Sequence, residues 1–81
     1  EDEQFWNIFS HKQYILFQSL NRLVIYNQQS NTLKSYNSDY GILDAFVNDD
    51  EIYFQDNNRT LFKIENEKSL VYLSAAASAP G

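Results

Sequence analysis

The chain has 81 residues, enough for one small domain or a piece of a larger one, and a core of that size is marginal because surface is large relative to volume. An apolar share of 43% and an aromatic share of 16% exclude disorder over most of the chain, and the absence of cysteine excludes disulfides and thiolate metal sites. The net charge is −5 and the six Lys and Arg residues are scattered, which argues against a nucleic-acid surface; no apolar run reaches the length of a membrane span and no signal peptide is visible.

Taken in order, Glu1 to Gln4 is a polar lead-in. Phe5 to Phe9 (FWNIF) alternates as a strand does, and Ser10 to Lys12 reads as a turn. Tyr14 to Gln18 is a second strand, dense in aromatic and β-branched residues. Ser19 to Arg22 is a hairpin turn in which Asn21 tolerates left-handed backbone. Leu23 to Tyr26 is a third strand, Asn27 to Asn31 a polar loop, and Leu33 to Tyr36 a fourth strand.

The same order then returns 37 positions later. Ile15, Phe17, Gln18, Asn21, Arg22 and Leu33 match Ile52, Phe54, Gln55, Asn58, Arg59 and Leu70, with no gap needed, and Phe9 matches Phe46. After a connector from Asn37 to Gly41, strands are expected at Ile42 to Val47, Ile52 to Gln55, Leu61 to Ile64 and Leu70 to Leu73. A helical reading competes for Leu43 to Val47 and for Ser69 to Ala77. The tail SAAASAPG has helix composition and also reads as a linker or a cloning remnant. No methionine stands at position 1, so the chain is expected to be an excerpt or a mature product.

Tyr14-Ile-Leu-Phe17 and Leu23-Val-Ile-Tyr26 are continuous apolar runs, and such runs imply that both faces of a sheet are covered. A repeated four-stranded unit covered on both faces is what a β-propeller blade needs. The expected fold is therefore all-β: two four-stranded antiparallel propeller-like blades, a fragment of a larger propeller. The first blade spans 1–37, the second 38–73 and the tail 74–81. Phe17 and Phe54, at equivalent places in the repeat, are both expected to be buried. The expected partners are other blades of the same parent chain, or copies of this chain.

Chemistry is sparse. His11 is the single histidine and has no metal or triad partner in sequence. Asp49-Asp50-Glu51 is the densest acidic cluster, but it lacks the ligand spacing and glycine of a calcium loop. With glycine only at 41 and 81, no phosphate cradle can form, and no nucleophile elbow surrounds a serine. No cofactor is expected, and no enzymatic activity. Asn58-Arg59-Thr60 matches an N-glycosylation sequon in a turn. The candidate ligand contacts are aromatic residues suited to stacking on a sugar ring, Trp6, Tyr36 and Tyr40, and two arginines on equivalent turns, Arg22 and Arg59. Each has a bland alternative: blade-to-blade packing for the aromatics, bonding to turn carbonyls for the arginines.

FWNIF, YILFQS, RLVIYN and IYFQDN-RTLFKIEN together resemble the sensor propellers of Bacteroidetes-type membrane-anchored transcription regulators, which include hybrid two-component sensors and regulators with LuxR-type DNA-binding domains. The resemblance covers Gln4 to about Leu73. The family usually carries glycine where this chain has Asn58-Arg59-Thr60. The resemblance implies a periplasmic, non-enzymatic sensor region that binds a ligand, possibly a glycan, or relays its binding to a transcriptional regulator. It transfers no catalytic residue. The alternatives are a propeller scaffold for protein–protein contact and an accessory propeller of a glycan-active enzyme.

Overall fold

The computed structural model describes residues 4–73, and these form eight strands with no helix among them. The first sheet is a meander of β1 (Asn7–His11), β2 (Tyr14–Gln18), β3 (Arg22–Asn27) and β4 (Thr32–Asn37), ordered as in the chain. The second repeats it with β5 (Ile42–Asn48), β6 (Glu51–Asp56), β7 (Leu61–Glu65) and β8 (Lys68–Leu73). All pairings are antiparallel and neither sheet closes on itself. The expected tail, 74–81, lies outside the described residues.

The tight turns follow from backbone chemistry. Asp49 and Asp50 both have positive φ (52° and 68°), as do Asn66 and Glu67 (52° and 62°), the conformation of two-residue hairpins whose twist matches the strands. Lys12 (φ 55°) starts the β1–β2 turn. That turn is tighter than expected and is displaced toward the C-terminus. β1 therefore runs from Asn7 to His11 rather than from Phe5 to Phe9. Phe5 precedes it and meets Phe17 edge-on at 5.8 Å, while Trp6 N–H extends the ladder by one bond to the Gln18 carbonyl (3.0 Å).

The helical alternative for Leu43 to Val47 is overturned: this stretch is β5. A bulge at Leu43 breaks the register between Ile42 and Asp44. Ile42 and Ala45, three apart, consequently share the buried face, which is how a strand imitates helical spacing. The gap-free match also fails locally. Gln18 pairs with Leu23 across residues 19–22, whereas Gln55 pairs with Leu61 across residues 56–60. Arg22 therefore opens a strand while Arg59 stays in a turn.

Residues paired across antiparallel strands share a face, and successive residues alternate. Phe9, Leu16 and Ile25 form one rung of the first sheet, and Ile8, Phe17 and Val24 form the next rung on the other face. In the second sheet Ala45, Phe54 and Phe62 alternate with Phe46, Tyr53 and Lys63. The core between the sheets contains Leu16, Leu23, Ile25 and Tyr36 from the first and Ile42, Ala45, Ile52 and Phe54 from the second. Thus Leu16 lies in the core while its match, Tyr53, lies on an outer face. Phe54 lies in the core while its match, Phe17, lies on the other outer face and is only half-buried, against expectation.

This exchange of faces defines the packing. Two repeats related by a two-fold axis would bury the same face of each. Here the first sheet presents one face and the second presents the opposite one, so the sheets are stacked in the same sense. Each outer face is largely apolar, with Lys63 among the residues of the second, and partly covers itself. Phe46 stacks on Tyr53 at 5.5 Å and Tyr72 meets Tyr53 edge-on at 5.4 Å, while Ile8, Leu33 and Tyr72 remain exposed.

The connector fixes this arrangement. Ile42 N–H donates to the Leu20 carbonyl (2.7 Å), and Ser38 N–H to the Asn21 carbonyl (3.3 Å). Gly41 has φ +86°, and a Cβ there would stand 2.9 Å from Asn57 Nδ2 and 3.1 Å from the Leu20 carbonyl oxygen, so glycine is required. Asp56 is buried, and its carboxylate accepts from Asn58 N–H (3.0 Å), Thr60 N–H (2.9 Å) and Ser38 Oγ (3.0 Å). It organises the β6–β7 turn and binds that turn to the connector.

Candidate functional site

A cleft of about 420 Å³ opens between the two sheets. Its lips are the β1–β2 turn on one side and the β5–β6 and β7–β8 turns on the other, and its floor is apolar, with Ile25, Ile52 and Ile64. Two polar connections cross it. On one side, His11 Nε2 lies 3.2 Å from the Asp50 carbonyl oxygen and Lys12 Nζ lies 3.1 Å from Asp50 Oδ2. On the other, Tyr36 Oη donates to the Glu67 carbonyl (2.6 Å) and Asn27 Nδ2 donates to Glu67 Oε2 (2.8 Å).

Tyr36 belongs to β4 and its ring is tilted against Phe54, 6.4 Å between centroids. Burial, then the charge of Glu67 and the neighbouring Tyr14, push its hydroxyl from 10.0 up to about 12. Its hydroxyl is held neutral and donates to the Glu67 carbonyl.

The remaining lining is polar and mostly anionic: Gln13, Asn66, Glu51 and Glu65 join Asp50 and Glu67 against His11 and Lys12. Carboxylates and amides are acceptors and donors for ligand hydroxyls, and Tyr14 supplies an aromatic wall. The surplus of carboxylates repels phosphate and other anions. Among the described residues, no three His, Cys, Asp or Glu side chains converge as metal ligands, and no helix is long and apolar enough to cross a membrane.

Of the five ligand residues expected from sequence, only Tyr36 lines the cleft. Trp6 is exposed ahead of β1 and Tyr40 is exposed in the connector, its carbonyl accepting from Asn57 Nδ2 (2.9 Å). Arg22 is half-buried at the start of β3, with its N–H bonded to Ser19 Oγ (3.3 Å). Arg59 is exposed with φ 66° and donates its N–H to the Asp56 carbonyl (3.1 Å). These four lie at the end of the sheets that carries the β2–β3 and β6–β7 turns, away from the β1–β2 and β5–β6 turns. Asn58 of the sequon is exposed in the β6–β7 turn.

His11 and Asp50, to which the sequence assigns no chemistry, meet at the lip of the cleft. Tyr14, Asn27 and Glu67 escaped the sequence reading. No spacing in the repeat marks them, because they meet only when same-sense stacking sets the turns of the second unit against the strands of the first. Compared with known protein families, curated proteins and solved structures, the chain has no match in any of the three.

Proposed function

We propose that this chain supplies two consecutive blades of a larger β-propeller, and that the seam between them binds a neutral glycan outside the cytoplasm. It does so without chemical turnover and relays the binding to a transcriptional regulator. The observation that carries this reading is the stacking of two matched four-stranded meanders in the same sense, with an open, polar-lipped cleft at their seam. Such stacking is how propeller blades follow one another. The resemblance to sensor propellers supplies the extracytoplasmic setting and the regulatory output. An apolar floor, an aromatic wall and acidic lips suit a ring with hydroxyls and no negative charge.

Calorimetric titration with neutral oligosaccharides and their uronate counterparts tests the reading. Binding of a neutral sugar is expected, weakened at least tenfold by Tyr14→Ala and absent for uronates. Failure of every neutral sugar to bind, or equal affinity in Tyr14→Ala, would remove the glycan from this cleft.

A further inference from the structure

The two outer faces correspond in repeat position to the two faces already joined in the core, with some residues exchanged. The outer face of the first sheet carries Ile8, Ile15 and Phe17, which stand 37 positions before Ala45, Ile52 and Phe54 of the second sheet's buried face. The outer face of the second sheet carries Phe46, Tyr53 and Lys63, in the places of Phe9, Leu16 and Ile25 on the first sheet's side of the core, and Lys63 lies over the Tyr72 ring at 5.9 Å, its stem adding apolar cover. The interface inside the chain is thus a template for one outside it. We infer that a second copy of this chain docks head-to-tail, the β1–β4 outer face of one copy seated on the β5–β8 outer face of the next.

The exposure of Ile8 (58%) at one end and Tyr72 (59%) at the other fits surfaces awaiting a partner. The occupant is specified by the repeat rather than by apolarity alone, because a face built like half of an existing interface is complementary to the other half. The contact is heterologous, so each copy keeps one free face of each kind until a ring closes or the array runs on. The inference extends the blade reading and is independent of the glycan, so sugar titrations and association measurements fail separately.

Sedimentation velocity of the full chain, from low micromolar to near-millimolar concentration, reads the association directly. Concentration-dependent growth beyond the monomer is expected. Ile8→Glu blocks one face and Tyr72→Glu the other, both at exposed positions. Each variant alone should remain monomeric where the parent associates. An equimolar mixture of the two should form a species of twice the monomer mass and nothing larger, since each still offers the face the other needs. If melting shows that a glutamate variant is unfolded, Ile8→Ser or Tyr72→Ser takes its place. A monomeric parent throughout the range, single variants that still associate, or a mixture that stays monomeric would each overturn the inference.

Discussion

Phe17 and Phe54 occupy the same place in the repeat, yet same-sense stacking gives them opposite fates, and their truncation should separate by stability. Phe54 is 1% exposed, stacked on Phe62 at 4.7 Å and tilted against Tyr36 at 6.4 Å. Truncation to Ala removes a full aromatic transfer term and leaves a cavity walled by both sheets, costing about 3–5 kcal/mol. Phe17 is half-buried on an outer face against Phe5, and water can fill the space its ring vacates. Its truncation should cost about 1 kcal/mol, roughly half of a buried side chain's transfer term, with no cavity term. At about 4–8 °C per kcal/mol for a domain of this size, Phe54→Ala should lower Tm by more than ~12 °C and Phe17→Ala by under ~8 °C. Urea unfolding at low protein concentration, where copies are apart, gives the two free energies directly. Equal losses would mean that the sheets bury the same face of each repeat, and the same-sense stacking would be wrong.

Three further outcomes follow from single contacts. Asp56→Ala strands two turn N–H groups and the Ser38 hydroxyl, so it should cost about 2–3 kcal/mol in urea unfolding, with Asp56→Asn recovering part of the loss. Tyr36 is favoured neutral in the fold, with its hydroxyl raised from 10.0 to about 12. Its contribution is complete below pH 10 and is lost as pH rises through about 12, and burial pushes Tyr53 the same way; melting curves of Tyr36→Phe should therefore fall less steeply over that window than those of the parent. Asp50→Gly relieves left-handed backbone strain of about 1–2 kcal/mol and gives up an exposed ion pair to Lys12 contributing at most ~1 kcal/mol, so its Tm should equal or exceed the parent's.

The strands were legible because the chain states its pattern twice. Apolar runs such as Tyr14 to Phe17 and Leu23 to Tyr26 are short, β-rich and bounded by turn formers, and local chemistry of that kind survives tertiary context. The errors lie where register changes. A bulge at Leu43 mimics helical spacing, and the longer β6–β7 turn moves Arg59 out of step with Arg22. Neither leaves a mark in composition. The burial of Phe17 was misjudged for a different reason. Repetition of a residue predicts repetition of its face, but the face that carries Phe17 meets no second sheet among the described residues.

The same asymmetry explains why the cleft was hidden while its parts were in view. A site at a seam draws on different positions from each unit. His11 and Tyr14 come from the end of the first strand and the start of the second in one repeat, Asp50 and Glu67 from the first and last turns of the other. No spacing along the chain links such residues, since their proximity is a property of the stacking vector. Scanning for a motif within one repeat therefore returns Trp6, Tyr40, Arg22 and Arg59, which are conspicuous by type but gather at the other end. The operation carrying one sheet onto the next also creates the cleft. If that operation is applied again between copies, the new seam keeps the stacking but not the lips: the place of Tyr14 is taken by Glu51 and that of Asp50 by Gln13. Association of copies and occupation of the cleft are then separate events, because loss of an outer face removes only the seam it would form and leaves the cleft within the chain intact.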